Sequence, residues 1–198
     1  MTKKLVIDPG HGGSDSGAVN GSYQEKNFTL DIALAVHDYL QNHYMVELFM
    51  TRKTDKTLSL KQRTDYANQK QADYFISIHI NAGGGTGWES YIWNGPVNQT
   101  TIDAQNIIHN TVMNEIGPKY QVKDRGKKRA DFYVLRETIM PAILLENLFI
   151  DTTNDLHLLI DNQFITDLSC TIGEGLAQAL SLDKKTLPKD QDHTQDRP

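Results

Sequence analysis

Apolar positions along this chain follow two periods, and segments of the two kinds alternate. "KLVID" (residues 4–8) is a short apolar run that predicts a buried strand. Phe28, Ile32, Val36 and Leu40 then recur every fourth position, which predicts an amphipathic helix with Asn27 as its cap. "MVELFMT" alternates Val46, Leu48 and Met50 and reads as a strand. "SLKQRTDYANQ" opens with Ser59 and Gln62 at the capping-box spacing and continues as a helix. In "DYFISIHINA", Ile76, Ile78 and Ile80 take one face of a strand while Ser77, His79 and Asn81 take the other. After a "GGG" loop, "GWESYIW" is a further strand. "QTTIDAQNIIHNTVMNEIG" predicts a helix with Ile108 and Val112 in register, stopped by Gly117-Pro118. "FYVL" and "AILLE" predict short strands, and Phe164, Leu168, Ile172 and Leu176 mark a final helix.

Strands alternating with helices imply an α/β fold: a single domain with a mixed, mostly parallel twisted sheet and helices on both faces. No internal repeat is visible. The pattern stops after Leu182, where "DKKTLPKDQDHTQDRP" offers no stripe to bury. Residues 1–182 therefore read as the folded domain and residues 183–198 as a polar, flexible tail or linker.

Composition narrows the function. The chain has 198 residues, enough for one substantial core, and a net charge of −5, which argues against a nucleic-acid binder that works by neutralising phosphates. No run is long and apolar enough for a membrane span. "MTKKLVID" has neither the apolar segment nor the small-residue cleavage site of a secretory signal, so export or release by cell lysis is left to explain any action outside the cell. The single cysteine, Cys170, excludes an internal disulfide and a cysteine-based zinc site, and its place in an apolar helical pattern predicts a small buried core residue.

Four polar residues stand where strands end or loops begin. His11 lies in "VIDPGHGG" after the first strand; Glu25 precedes the first helix; His79 ends "FISIHIN"; Glu146 follows "AILL". Ligands of open α/β sheets collect outside the carboxyl ends of the strands, so these four can converge there. Two imidazoles and one carboxylate make a catalytic zinc set with a position left for water, and the remaining carboxylate can serve as general base. Each also has a plainer reading: His11 as a turn residue, His79 as a satisfied interior histidine, Glu25 as an ordinary acidic residue of a helix N-terminus. Glu146 is the hardest to dismiss, because a carboxylate directly after "AILL" is half-buried and needs a partner or a task. His37, His43, His109 and His157 fall in or beside helical segments and His193 in the tail, so they read as solvated or structural. A phosphate cradle fits the glycines of "GHGGSDSG" but lacks the Gly-Lys-Ser/Thr of a nucleotide loop.

At these residues the sequence resembles the zinc-dependent N-acetylmuramoyl-L-alanine amidases of the third amidase family, in particular the lytic amidases of Gram-positive spore-formers and their phages. The resemblance runs through "IDPGHGGSDSGA", "QEKNFTLDIA", "TRKTD", "SLKQRTDYAN", "ADYFISIHINA", "GWESYIW" and "RGKKRADFYVLRETIMPAILLENLFID". It implies that residues 1–182 are an amidase catalytic domain and that the substrate is peptidoglycan, cut between N-acetylmuramic acid and L-alanine by zinc-activated water. It also implies metal ligands at His11, Glu25 and His79, a catalytic Glu146, and a protein that acts as a monomer on the cell wall. Where the family often has Gly-Phe after the catalytic glutamate, this chain has Asn147-Leu148-Phe149. The stretch from Gly95 to Arg125 is short and directly helical, with no room for a blocking insert, which predicts an open cleft. Gly12, Gly13 and Gly17 are expected to let an extended glycan–peptide strand approach, while Arg52, Glu89 and Arg136 suit ion pairs within the fold as well as ligand orientation. A zinc exopeptidase acting on free peptides and a non-catalytic wall-binding protein remain the alternatives at this point.

Overall fold

The computed structural model describes residues 2–186. In chain order the elements are β1 (Lys3–Pro9), a two-rung hairpin of β2 (Val19–Asn20) and β3 (Tyr23–Gln24), α1 (Glu25–His43), β4 (Val46–Met50), α2 (Leu60–Lys70) and β5 (Tyr74–Asn81). β6 (Trp88–Trp93), α3 (Gln99–Tyr120), β7 (Asp124–Ala130), α4 (Tyr133–Arg136), β8 (Ala142–Phe149), α5 (Thr153–Leu159) and α6 (Asn162–Ala179) follow. Six strands form one sheet in the order β4-β1-β5-β8-β6-β7. The first four run parallel; β6 is antiparallel to β8, and β7 is parallel to β6. The expected mixed, mostly parallel sheet is therefore found.

Helices cover both faces, unequally. On one face α1, α3 and α6 pack over Leu5, Ile7, Ile76, Ile78 and Leu145 to make the main core. On the other, the shorter α2 and α4 cover Val6, Phe75 and Leu144; they touch each other but leave a gap between their N-terminal ends. The alternation in β5 sorts as the sequence predicted: Ile76, Ile78 and Ile80 enter the main core, and the Ser77–His79 side faces the gap.

Four local expectations are corrected. First, α1 starts at Glu25, not after Asn27, because carbonyls of the preceding loop satisfy its first N–H groups: Glu25 N donates to Ala18 O and Lys26 N to Ser16 O. Second, α3 runs through Gly117-Pro118 to Tyr120 and ends at left-handed Gln121. A proline in the last turn removes only one hydrogen bond, and packing of Ile116 on the core outweighs that loss. Third, "FYVL" is not a strand; Tyr133–Arg136 is a helical turn, and the strand is the preceding "DRGKKRA", which carries no apolar alternation because it is the sheet edge. Fourth, Cys170 is part-exposed on α6 rather than buried.

Met45 N donates to Asp183 O and Lys185 N to His43 O, so the chain after α6 stays on the body as far as Lys185. The rest of the tail, including His193, lies outside the described residues.

Candidate metal centre

The site is built where β1, β5 and β8 carry their side chains into the gap between α2 and α4. His11 follows β1 in the left-handed conformation (φ 58°), a strained state for a non-glycine residue that turns its imidazole back over the sheet. Glu25 is the first residue of α1, and the hairpin before it drops its carboxylate between two rings. Glu25 Oε2 lies 3.2 Å from His11 Nε2, and Oε1 lies 3.0 Å from His79 Nδ1. The backbone N–H groups of Ala18 and Ile80 donate to the same carboxylate, at 2.9 and 3.0 Å. One potential ligand atom from each of the three residues lies within 4.8 Å of the other two.

The donor set fits a divalent cation. Carboxylate oxygens only accept, so without a cation both imidazole nitrogens that face Glu25 need protons. His11 Nδ1 also faces a carboxylate, Asp15 Oδ2 at 2.9 Å, so that ring would have to be doubly protonated. A cation among the three side chains takes the place of the protons between them. Glu25 is held well below the usual carboxylate range: burial opposes this, and hydrogen bonds from His11 and His79 outweigh the burial. His11 is raised, again against burial, by Glu25 and Asp15.

Glu146 belongs to the middle of β8, directly across from His79. Its Oε2 is buried and has no hydrogen-bond partner among the described residues. Burial pushes its carboxyl up to about 7, opposed by His79 and reinforced by Glu25 and Glu89. A carboxylate poised near neutrality and free on one oxygen is suited to moving a proton. His11, His79, Glu146 and Leu144 line one cleft of about 350 Å³, walled on its other sides by Leu58, Leu60, Phe132 and Tyr133. α3 packs on α6 and β6, on the far side of the sheet from this cleft, in keeping with the expected open site.

Several residues that hold the centre were not read as functional from the sequence. Asp15 is one; its place four residues after His11 in a glycine loop was the available signal. Asp8, fully buried, accepts from Arg63 Nη1, Thr51 Oγ1 and Ser77 Oγ, and Arg63 also donates to the carbonyls of Pro9 and His11. Nothing in its helical stretch singles Arg63 out, and only the fold reveals it as the clamp on the His11 loop. Arg52, which the sequence left between ion pairing and ligand orientation, does the same from just past β4, donating to the carbonyls of Pro9, Gly10 and Lys26. Arg136 sits outside the site, paired with Asp131 and Glu137. The loop glycines make room for the protein itself rather than for substrate: a Cβ on Gly17 would stand 2.5 Å from Glu25 Oε2, and one on Gly13 would meet Thr57. Ser90, His109 and Asp124 form a hydrogen-bonded row, but Ser90 is fully buried, so the row ties α3 to the sheet and has no access to substrate.

The departure after Glu146 has a structural counterpart. Leu148 is fully buried and left-handed (φ 71°) at the point where the β5–β8 register shifts. Asn147 beside it donates to His79 O and accepts from Trp88 Nε1, pinning β8 to both neighbours.

Comparison with known proteins gives the family. Residues 5–178 match the family described as N-acetylmuramoyl-L-alanine amidase. The chain is 48% identical over 182 residues to the N-acetylmuramoyl-L-alanine amidase CwlM of Bacillus licheniformis, covering 91% of this chain and 70% of that protein. It is 41% identical over 197 residues to the endolysin of Bacillus phage SPP1, covering 97% of this chain and 72% of that protein. Among solved structures, the catalytic domain of CwlV from Bacillus (Paenibacillus) polymyxa superposes with a TM-score of 0.83 at 34% identity, covering 92% of this chain and all of that one. An amidase from Clostridium difficile 630 superposes with a TM-score of 0.85 at 31% identity, covering 91% and 97%.

Proposed function

We propose, for a chain that belongs to the N-acetylmuramoyl-L-alanine amidase family, an assignment of roles within its site. The protein is a peptidoglycan hydrolase that cleaves the amide between N-acetylmuramic acid and the L-alanine of the stem peptide. His11, Glu25 and His79 are the ligands of a zinc ion, and Glu146 is the catalytic acid–base. The observation that carries this reading is the unpartnered, buried Oε2 of Glu146 in the same cleft as two imidazoles that converge on one carboxylate.

Zinc, when bound, supplies Lewis acidity toward the scissile carbonyl and toward a water. The chain's own residues do the rest. Asp15 holds the Nδ1 proton of His11 and so leaves Nε2 free to ligate. Arg52 and Arg63 fix the backbone on either side of His11. Glu146 Oε2 takes the proton of the attacking water and then hands it to the departing alanine nitrogen, so one carboxyl serves both halves of the reaction. The apolar wall of Leu58, Leu60, Phe132 and Tyr133 limits bulk water around that transfer.

The test is digestion of intact cell walls by the purified protein. New N-terminal alanine without new reducing sugar is the expected result. Reducing sugar instead, or activity on short free peptides alone, contradicts the reading.

A further inference from the structure

We propose that Arg125 and Lys128 of the edge strand β7 form a subsite for a carboxylate of the stem peptide, within the first three residues beyond the scissile amide. The proposal rests on the amidase reading above.

Register carries the cleft floor outward to these two cations. Glu146 and Leu144 line the cleft, and directly across from them on β6 stand Glu89 and Tyr91. Lys128 is the β7 partner of Tyr91. Residues 125 and 128 are three apart, so on a regular strand they would point to opposite faces. The register slips between the Trp88–Asp124 and Ser90–Lys127 pairs, with Gly126 at φ +87°, and this bulge brings both cations to the face of Glu146. Both donate to Glu89 Oε2, Arg125 through Nε at 2.7 Å.

Charge does not balance there. Glu89 is buried and also accepts from Asn81 Nδ2 and Tyr91 OH, each at 2.8 Å, so its acceptor positions are filled. One carboxylate faces two cations, and one positive charge is left over beside the cleft of a protein whose net charge is −5. Neutralising Glu89 needs only one of them. Both cations remain partly open to solvent, at 26% and 34% side-chain exposure, and each is steadied by an aromatic ring: Arg125 over Phe149 and Lys128 over Tyr91. Among the described residues, Arg125 Nη2 has no protein acceptor. A forked guanidinium next to an ammonium suits a carboxylate.

Distance sets where on the substrate that carboxylate lies. β7 is two strands from β8, about 10 Å. An extended peptide covers that in about three residues. The reacting amide sits at Glu146, so the partner is an acidic group one to three residues into the stem peptide.

The experiment compares two synthetic muramoyl-tripeptides, one with free carboxylates on its second and third residues and one with those carboxylates converted to carboxamides. The parent enzyme is expected to show a KM about tenfold lower for the acid form. Lys128→Gln and Arg125→Gln should each raise the KM for the acid form toward that for the carboxamide. Lys128→Arg should keep the preference. Either single change leaves Glu89 paired with the other cation, so folding is preserved, and circular dichroism checks it. If the parent shows no preference, or the variants weaken both substrates equally, the cations only neutralise Glu89 and the subsite is refuted. If the parent releases no N-terminal alanine from either substrate, the amidase reading itself fails and takes this one with it.

Discussion

Asp15 Oδ2 lies 2.9 Å from His11 Nδ1, on the side of the ring away from Glu25. Asp15 thereby fixes which nitrogen of His11 carries a proton, although nothing in its own exposed position suggests a role in the centre. Removing it with Asp15→Ala should weaken zinc binding by about ten- to a hundredfold, since carboxylates behind ligating histidines typically matter that much. Competition with a calibrated chelator measures it. An unchanged affinity means that Asp15 merely decorates the loop.

Glu146→Gln keeps the shape of the side chain and removes its capacity to take a proton. Turnover on cell walls should fall by about a hundred- to ten-thousandfold, with zinc content unchanged. Metal analysis alongside the assay separates lost chemistry from a lost cation. Retention of near-parental clearing would reassign the acid–base.

The same residue governs how stability depends on pH in metal-free protein. Its carboxyl titrates near 4.5 when unfolded and is pushed up to about 7 by burial when folded. Between those values the folded state holds a proton that the unfolded state has released, so stability falls as pH rises through that window and then levels off. Glu146→Gln lacks this loss. In chelator, the variant should gain about 3 kcal/mol on the parent between pH 4 and pH 8. Urea titrations at the two pH values report the difference, and parallel curves contradict it.

Leu148 combines two opposed effects. Its side chain fills core volume, while its left-handed backbone costs about 1–2 kcal/mol for an L-residue. Leu148→Ala keeps the strain and opens a cavity, at a cost of about 2–5 kcal/mol. Leu148→Gly opens nearly the same cavity and relieves the strain. The glycine variant should therefore be the more stable of the two by about 1 kcal/mol, the reverse of the order in a regular strand. Thermal unfolding of both variants decides it.

The sequence by itself determined the alternation of elements and hence the α/β class, because apolar periodicity is a local signal that survives without neighbours. It also singled out His11, Glu25, His79 and Glu146 as polar residues set beside apolar runs or glycines, although His79 and Glu146 lie inside β5 and β8 rather than at the strand ends expected. It missed β7, whose basic residues carry no apolar alternation at the sheet edge, and it misread "FYVL", whose apolar residues pack as a helical turn. Tertiary structure alone decided that the loop glycines clear space for Glu25 and Thr57, that Arg63 is buried on Asp8, and that a bulge turns Arg125 and Lys128 to one face. Each of these depends on which strands lie side by side. That arrangement follows from how the whole core is buried, and no window of sequence contains it.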